Sequence, residues 1–409
     1  MNVERSSDRH YIWTIVVLFG LGWAMVFFNR TALYPLLPIL QEEFSLSATK
    51  AGTLPSAYYF FYVLFQIPVG LFGDKIGLKR MLVLTYACSA IGLLMVGLLA
   101  RSYTILLLSM VLYGGGASGF HPMAFSITLK SVAAHRRGIA TALINSGSAL
   151  GLLLGLSVAG PAYLASGSWR LLFLLLAVPT FLLAILFAWK IRGVTTNRTV
   201  WSTPSRLLRD KNLLFIYLAS FCSLYAFATA VVWGPTFFLT ERALDLSVAG
   251  LFTAIIAVSG IPAGLALARL SDRVGRKVIA LVLMPVAALA MFSIVLTNSL
   301  WLLILLLVLY GASGKLAWEP IAVAWLGDHA SAAHSESMGT ALALFGTIGM
   351  SSSIVAPVVG GWIRDLTGSL EGAFIVAAFF LLLGAFCMVV PARAPRVAHS
   401  VDARPEPVA

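Results

Sequence analysis

The sequence predicts an all-α membrane protein: twelve transmembrane helices in two pseudo-symmetric six-helix bundles. Three observations carry this prediction. Of 409 residues, 60% are hydrophobic and only 11% charged, where a soluble protein is about a quarter charged. Apolar stretches long enough to cross a hydrocarbon layer of about 30 Å, which takes about 20 residues each, recur twelve times. The two halves also share short runs in the same order, at an offset near 198 residues.

The spans are read at residues 13–40, 50–73, 80–99, 103–127, 137–163 and 169–190 in the first half. In the second half they are 212–239, 247–270, 277–297, 300–326, 337–363 and 371–392. This gives a tail at 1–12, a six-helix bundle at 13–190, a linker at 191–211, a second bundle at 212–392 and a tail at 393–409. The first apolar run begins near Tyr11 and exceeds the core of a signal peptide, so it is expected to stay in the membrane.

The basic residues set the orientation. With the amino terminus in the cytoplasm, 21 of the 28 Lys and Arg residues fall on the cytoplasmic side. Five fall opposite: Lys50, Arg101, Arg170, Arg242 and Arg364. Positive charge marks the cytoplasmic loops, so both termini are expected there, in a bacterial inner membrane. The net charge of +12 is therefore topology; no basic groove with interleaved aromatics points to nucleic acid. Cys88, Cys222 and Cys387 lie in apolar stretches without metal-ligand spacing and read as small apolar fillers. No metal, cofactor or ATP-binding motif is expected, and no nucleophile–base arrangement suggests an enzyme.

The repeat is carried by matched residues. Gly73-Asp74-Lys75-Ile76-Gly77-Leu78-Lys79-Arg80 corresponds to Ser271-Asp272-Arg273-Val274-Gly275-Arg276-Lys277. Val111-Leu112-Tyr113-Gly114 corresponds to Val308-Leu309-Tyr310-Gly311. Each is followed by Ala-Ser-Gly and then by Pro122 or Pro320. Two such halves suit rocking about a central site.

The loop from Gly70 through Asp74 and Gly77 to Lys79-Arg80 resembles the loop pattern of the major facilitator superfamily, and the resemblance runs from about Trp13 to Val390. It implies alternating access, with Asp74, Arg80, Asp272, Arg273 and Arg276 forming loops that control the conformational equilibrium. A narrower resemblance is to the organic anion:cation symporter branch. It rests on Asn29-Arg30, Tyr34-Pro35 and Pro38, Gln66-Ile67-Pro68-Val69-Gly70, and Ser168-Trp169-Arg170. That branch usually carries Asp-Arg in the first span and a Glu in the fourth. Here the first position is Asn29, and the fourth span reads Gly119-Phe120-His121-Pro122. The Phe-His-Pro run is also similar to some drug-efflux members.

A charge deep in a span costs roughly 2.5–3.5 kcal/mol or more, so each needs a reason. Arg30 is read as the anchor of an anion, because its guanidinium is a planar fork matched to carboxylate. Lys315 and Glu319 lie one turn apart on one face of the tenth span. Glu319 is read as the proton carrier and Lys315 as a second substrate ligand; a permanent structural pair is the alternative. His121 is a second proton-exchange and binding candidate. Tyr34, Tyr225, Trp233 and Trp318 complete the expected substrate site, since the resemblance implies a cavity lined by the first, fourth, seventh and tenth helices. The expected function is proton-coupled symport of a small organic anion, a carboxylate, by a monomeric carrier in the bilayer. An efflux antiporter for drugs or amphipathic metabolites is the alternative.

Overall fold

The computed structural model describes residues 2–194, 204–333 and 338–391. Parts of the expected linker and the whole tail 393–409 lie outside the described residues. The described chain is helical, with spans α1 His10–Glu43, α2 Ala48–Ile76, α3 Leu78–Leu99, α4 Tyr103–Ser131, α5 Arg136–Ser166 and α6 Trp169–Lys190. The second half supplies α7 Lys211–Thr240, α8 Leu246–Val274, α9 Arg276–Leu296, α10 Leu300–Ala330 and α11 Met338–Thr367. A shorter apolar helix, α12 Glu371–Cys387, completes the set. Among the described residues, eleven helices are thus long and apolar enough to cross a membrane; the twelfth has 17 residues, about 25 Å of helix.

α12 ends before the residue 392 expected from hydropathy, and the reason is local. The Lys277 ammonium donates to Val389 O at 2.6 Å and to Pro391 O at 2.7 Å. These carbonyls therefore have a side-chain partner in place of a further helical turn. At the other end of the chain, helix begins at Asn2, inside the stretch read as a tail.

The repeat reappears in the backbone. α2 ends at Gly77 with φ 98° and α8 ends at Gly275 with φ 110°. At positive φ a side chain is strained, which is why both loops keep glycine at matched positions. The sharp turn sends α3 and α9 back antiparallel from these ends.

Three spans read as continuous are broken. The helix carrying α1 stops at Thr31 and resumes at Leu37 through the 3-10 turn Tyr34–Leu36. Pro35 and Pro38 lack the N–H that a continuous helix needs. α4 divides into Tyr103–Ala117 and Phe120–Ser131, and α10 into Leu300–Ser313 and Lys315–Ala333. The last two breaks fall at the Ala-Ser-Gly repeats, at Gly119 and Gly314. A break exposes backbone polar groups, which membrane depth tolerates only beside protein or a water-filled cavity.

The halves meet at the end that carries residues 44–47 and 368–370. Gly52 packs on Pro357 O, Gly361 on Ala48 O, Gly160 on Leu246 O and Gly250 on Leu156 O, so closely that a Cβ at any of them would meet backbone. Hydrogen bonds join the halves at the same end. Asp365 accepts from Ala48 N at 2.7 Å, from Thr49 N at 2.9 Å and from the Thr49 hydroxyl at 2.5 Å. Arg364 donates to Gln41 Oε1 at 3.2 Å.

The same helices diverge toward the other end. A Cβ at Gly70 on α2, Gly138 on α5, Gly327 on α10 or Gly346 on α11 would meet nothing within 4 Å. His121 and Asn145 are exposed although both lie well within apolar spans. Polar side chains in that position face a cleft, not lipid. The molecule is therefore a wedge, closed at one end and open at the end that carries the termini.

Candidate functional site

Arg30 sits in the last turn before the α1 break. The partial negative charge of that helix end favours a cation there. The side chain is 8% exposed. Its guanidinium lies 3.7 Å from the centre of the Phe27 ring and 5.3 Å from that of Tyr59, positions that stabilise a desolvated cation. Tyr34, Tyr58, Tyr59 and Tyr62 all lie within its electrostatic reach. Among the described residues no carboxylate pairs with it, and its Nε has no hydrogen-bond partner.

The cage follows from local sequence. Tyr58 and Tyr62 are four apart and share a face of α2, their rings stacked at 6.0 Å. Gly114 lets α4 approach until its Cα faces Tyr58 O. Tyr113 then packs 4.7 Å from Tyr58 and donates to Val26 O at 3.2 Å, tying α4 to α1. A small pocket opens beside Arg30, lined by Asn29, Tyr34, Pro55, Tyr58, Tyr113 and Phe173 among others. The space it offers the centre of a water-sized sphere is ≈ 10 Å³, room for about one water. Among the described residues, Tyr62 Oη and Asn29 Oδ1 are also buried without a hydrogen-bond partner, while the Tyr58 hydroxyl interacts with that of Tyr113. Buried polar groups are normally satisfied, so this concentration of unpaired atoms around one cation makes the pocket a candidate ligand site.

In the second half, the Lys315 ammonium and Glu319 carboxylate are 2.7 Å apart, with 18% and 40% of their side chains exposed. The pair stands immediately after the Gly314 break, and Lys315 also lies 5.5 Å from the centre of the Phe227 ring. His121 follows the Gly119 break in the first half. Its ring stacks 4.4 Å from Phe125 and lies 5.4 Å from Trp23, and Glu319 is within its electrostatic reach. Arg30 and Tyr34 are thus together, as are Lys315, Glu319 and His121 across the cleft.

The other expected substrate ligands are placed elsewhere. Trp233 is fully buried, and its indole donates to Pro357 O at 3.0 Å. Tyr225 stacks on Phe380 of α12 at 4.1 Å. Trp318 faces the core of the second half, stacked on Phe345 at 6.5 Å. Large aromatics on these helices fill the bundle interior, because α7 and α10 are covered on more than one side.

The loop residues lie at the open end. Arg276 pairs with Asp272 at 3.4 Å and with Asp328, and it donates to Ala324 O. These contacts are made within one half. Arg80 and Arg273 are exposed and Asp74 is half-buried. Sequence reasoning missed Asp328 and Asp365, and it gave the pocket-lining Asn29 no binding role. Asn29 was legible only as a departure from an expected acid.

The family comparison agrees with this geometry: the model of the Major Facilitator Superfamily matches residues 12–355. The chain belongs to this superfamily. It is a multi-pass membrane transporter and not an enzyme. It is similar to the "Uncharacterized transporter YybO" of Bacillus subtilis, 26% identical, covering 94% of this chain and 95% of that one. It is 24% identical to the "Probable sulfoacetate transporter SauU" of Cupriavidus necator, over 93% of each. Identity is 22% to the "Probable galactarate/D-glucarate transporter GudP" of Bacillus subtilis, over 95% of this chain and 94% of that one. The fold is that of a bacterial homologue of the human lysosomal transporter Spinster, solved in an inward-facing, occupied conformation. The TM-score is 0.77 at 17% identity, over 94% of this chain and 97% of that one.

Proposed function

We propose that this superfamily member is a proton-coupled symporter of a small organic anion, a carboxylate, working by alternating access in the bacterial inner membrane. The observation that carries the reading is Arg30: among the described residues, a buried guanidinium without a carboxylate partner, beside unpaired phenol and amide groups. A cation held this way lacks its counter-ion, and the missing charge is the substrate's. The named relatives that carry sulfoacetate and galactarate or glucarate support the same substrate class.

The coupling scheme uses the exposed pair across the cleft. Ionised Glu319 holds Lys315; a proton on Glu319 releases the ammonium to a second part of the anion. His121 is placed to pass that proton. With the termini in the cytoplasm, the closed end is the outer one and the described state faces inward. The carrier works as a monomer, since each half of the site comes from the same chain.

The test is uptake into proteoliposomes of a panel of labelled carboxylates under imposed pH and Na⁺ gradients. Acid-outside driving of at least one carboxylate, lost in Arg30→Ala, is expected. Accumulation driven by Na⁺ alone would overturn the coupling ion. Competition by hydrophobic cations, with Arg30→Ala tolerated, would instead establish the efflux antiporter.

A further inference from the structure

The wall of the cleft carries an amide whose orientation is fixed. Gly147 and Gly151 let α5 lie directly on α1, since a Cβ at either would meet Gly20 O or Ala24 O. This approach brings the Trp23 indole to the Asn145 side chain, and Trp23 Nε1 donates to Asn145 Oδ1 at 3.2 Å. An indole nitrogen can only donate, so the atom that faces it is the amide oxygen. The NH2 group is then the end turned away from Trp23. The indole is itself held in place: it is 4% exposed, stacks on Phe120 at 5.5 Å and meets the Phe27 ring at 4.9 Å.

Asn145 looks across the cleft at the second half. On α5 it stands about three helical turns before Leu156 and two after Gly138, so the three share a face. Leu156 O is the atom against which Gly250 of the second half packs, whereas a Cβ at Gly138 would meet nothing within 4 Å. This face therefore touches the second half at the closed end and parts from it toward the open end. Asn145 is exposed there. With its oxygen engaged by Trp23, the group it offers to the cleft is the NH2 donor.

We infer that Asn145 forms a station for the transported anion between Arg30 and the open end, donating a hydrogen bond from Nδ2, with Trp23 as the positioning residue that keeps this donor facing the cleft. The inference rests on the anion reading of Arg30. Trp23, Phe27 and Arg30 follow at spacings of four and three on one face of α1, and the guanidinium rests 3.7 Å from the centre of the Phe27 ring. This stripe joins Arg30 to Asn145 along one wall and covers about 10 Å of helix. A small anion does not reach both ends at once, so the two groups act in succession. Arg30 is shielded, whereas Asn145 stands exposed, nearer the end that carries the termini. An uncharged donor suits that place: it replaces part of the anion's hydration without holding it as a cation would.

The experiment has two arms, both on the full-length chain. In the first, Asn145→Cys is combined with Cys88→Ala, Cys222→Ala and Cys387→Ala, and vesicles of each orientation are treated with the impermeant anion sulfonatoethyl methanethiosulfonate. Residue 145 should be labelled from the side that carries the termini and spared from the other; no labelling from the termini side overturns the placement. The second arm measures the apparent KM, from each side, of every carboxylate in the uptake panel whose transport is lost in Arg30→Ala. Asn145→Ala should raise the termini-side KM about three- to tenfold and leave the opposite side within about twofold. Asn145→Asp, which puts a negative acceptor in place of the donor, should raise it further. Trp23→Phe keeps a stacked ring but removes the N–H; it should raise the termini-side KM alone and add nothing to Asn145→Ala, because both act through one amide. Equal rises on both sides, or additive effects of the two variants, assign these residues to the packing of α1 on α5 and overturn the station. An unaltered KM in Asn145→Ala also overturns it and leaves the anion reading standing. Transport indifferent to Arg30→Ala, or transport of no carboxylate, overturns both.

Discussion

Arg30 shows how a residue's neighbours turn an expensive feature into a site. Its charge is stabilised by a helix end and two aromatic faces, none of which consumes its bidentate edge. Truncating one member of a buried charge pair costs about 2–5 kcal/mol, so Arg30→Ala should weaken binding of the transported anion by at least thirtyfold in a direct binding assay. Arg30→Lys should recover only part of this, because an ammonium lacks the planar fork. Glu319→Gln removes the titrating group but keeps a hydrogen-bond acceptor for Lys315. Uptake driven by a pH gradient should be lost in this variant while substrate exchange at equal pH continues; undiminished proton-driven uptake would remove Glu319 from the coupling scheme.

Among the elements, the broken helices place the chemistry. Each break stands next to a charged or titratable group: Thr31–Leu37 after Arg30, Gly119 before His121, Gly314 before Lys315. The freed backbone and the polar side chains share the same aqueous cleft. The close-packed glycines act differently, by letting helices touch. At Gly250 an added Cβ would strike Leu156 O across the halves. Overpacking of this kind typically costs 1–3 kcal/mol. Gly250→Val should therefore weaken the closed end and favour the opposite-facing state, read as a longer distance between spin labels flanking residues 166 and 246. An unchanged distance distribution would show that the neighbouring turn absorbs the side chain.

For the molecule as a whole, the closed end is a balance of contacts that alternating access must break. Asp365 meets the first amides of α2, where a helix start favours negative charge. Charge-assisted hydrogen bonds contribute about 1.5–3 kcal/mol. Asp365→Ala should then shift the two-state equilibrium about ten- to hundredfold toward opening at that end, seen as a longer distance between spin labels at the exposed residues 42 and 367. The loop residues Arg276, Asp272 and Asp328 are bound within their own half at the open end. In this state their contacts leave the halves free of one another there.

Hydropathy, charge asymmetry and the internal repeat made the spans and the two-bundle architecture legible, because a bilayer enforces them locally: each span must be apolar over its own length. The charges within the spans were legible for the same reason, since Arg30, Lys315 and Glu319 stand out against their spans. The aromatic residues could not be sorted. Tyr34 lines the pocket while Trp233 and Tyr225 face packed helices, and one apolar helix offers no mark of which neighbour will cover each face. Asp365 at the closed end and the orientation of the Asn145 amide were likewise invisible. Both depend on partners more than 120 positions away, and a hydrogen bond exists only where folding brings donor and acceptor together. The sequence by itself determined a two-halved transporter with four unusual polar groups inside its spans. Only the tertiary structure decided which end is closed, and which side chains line the pocket beside Arg30.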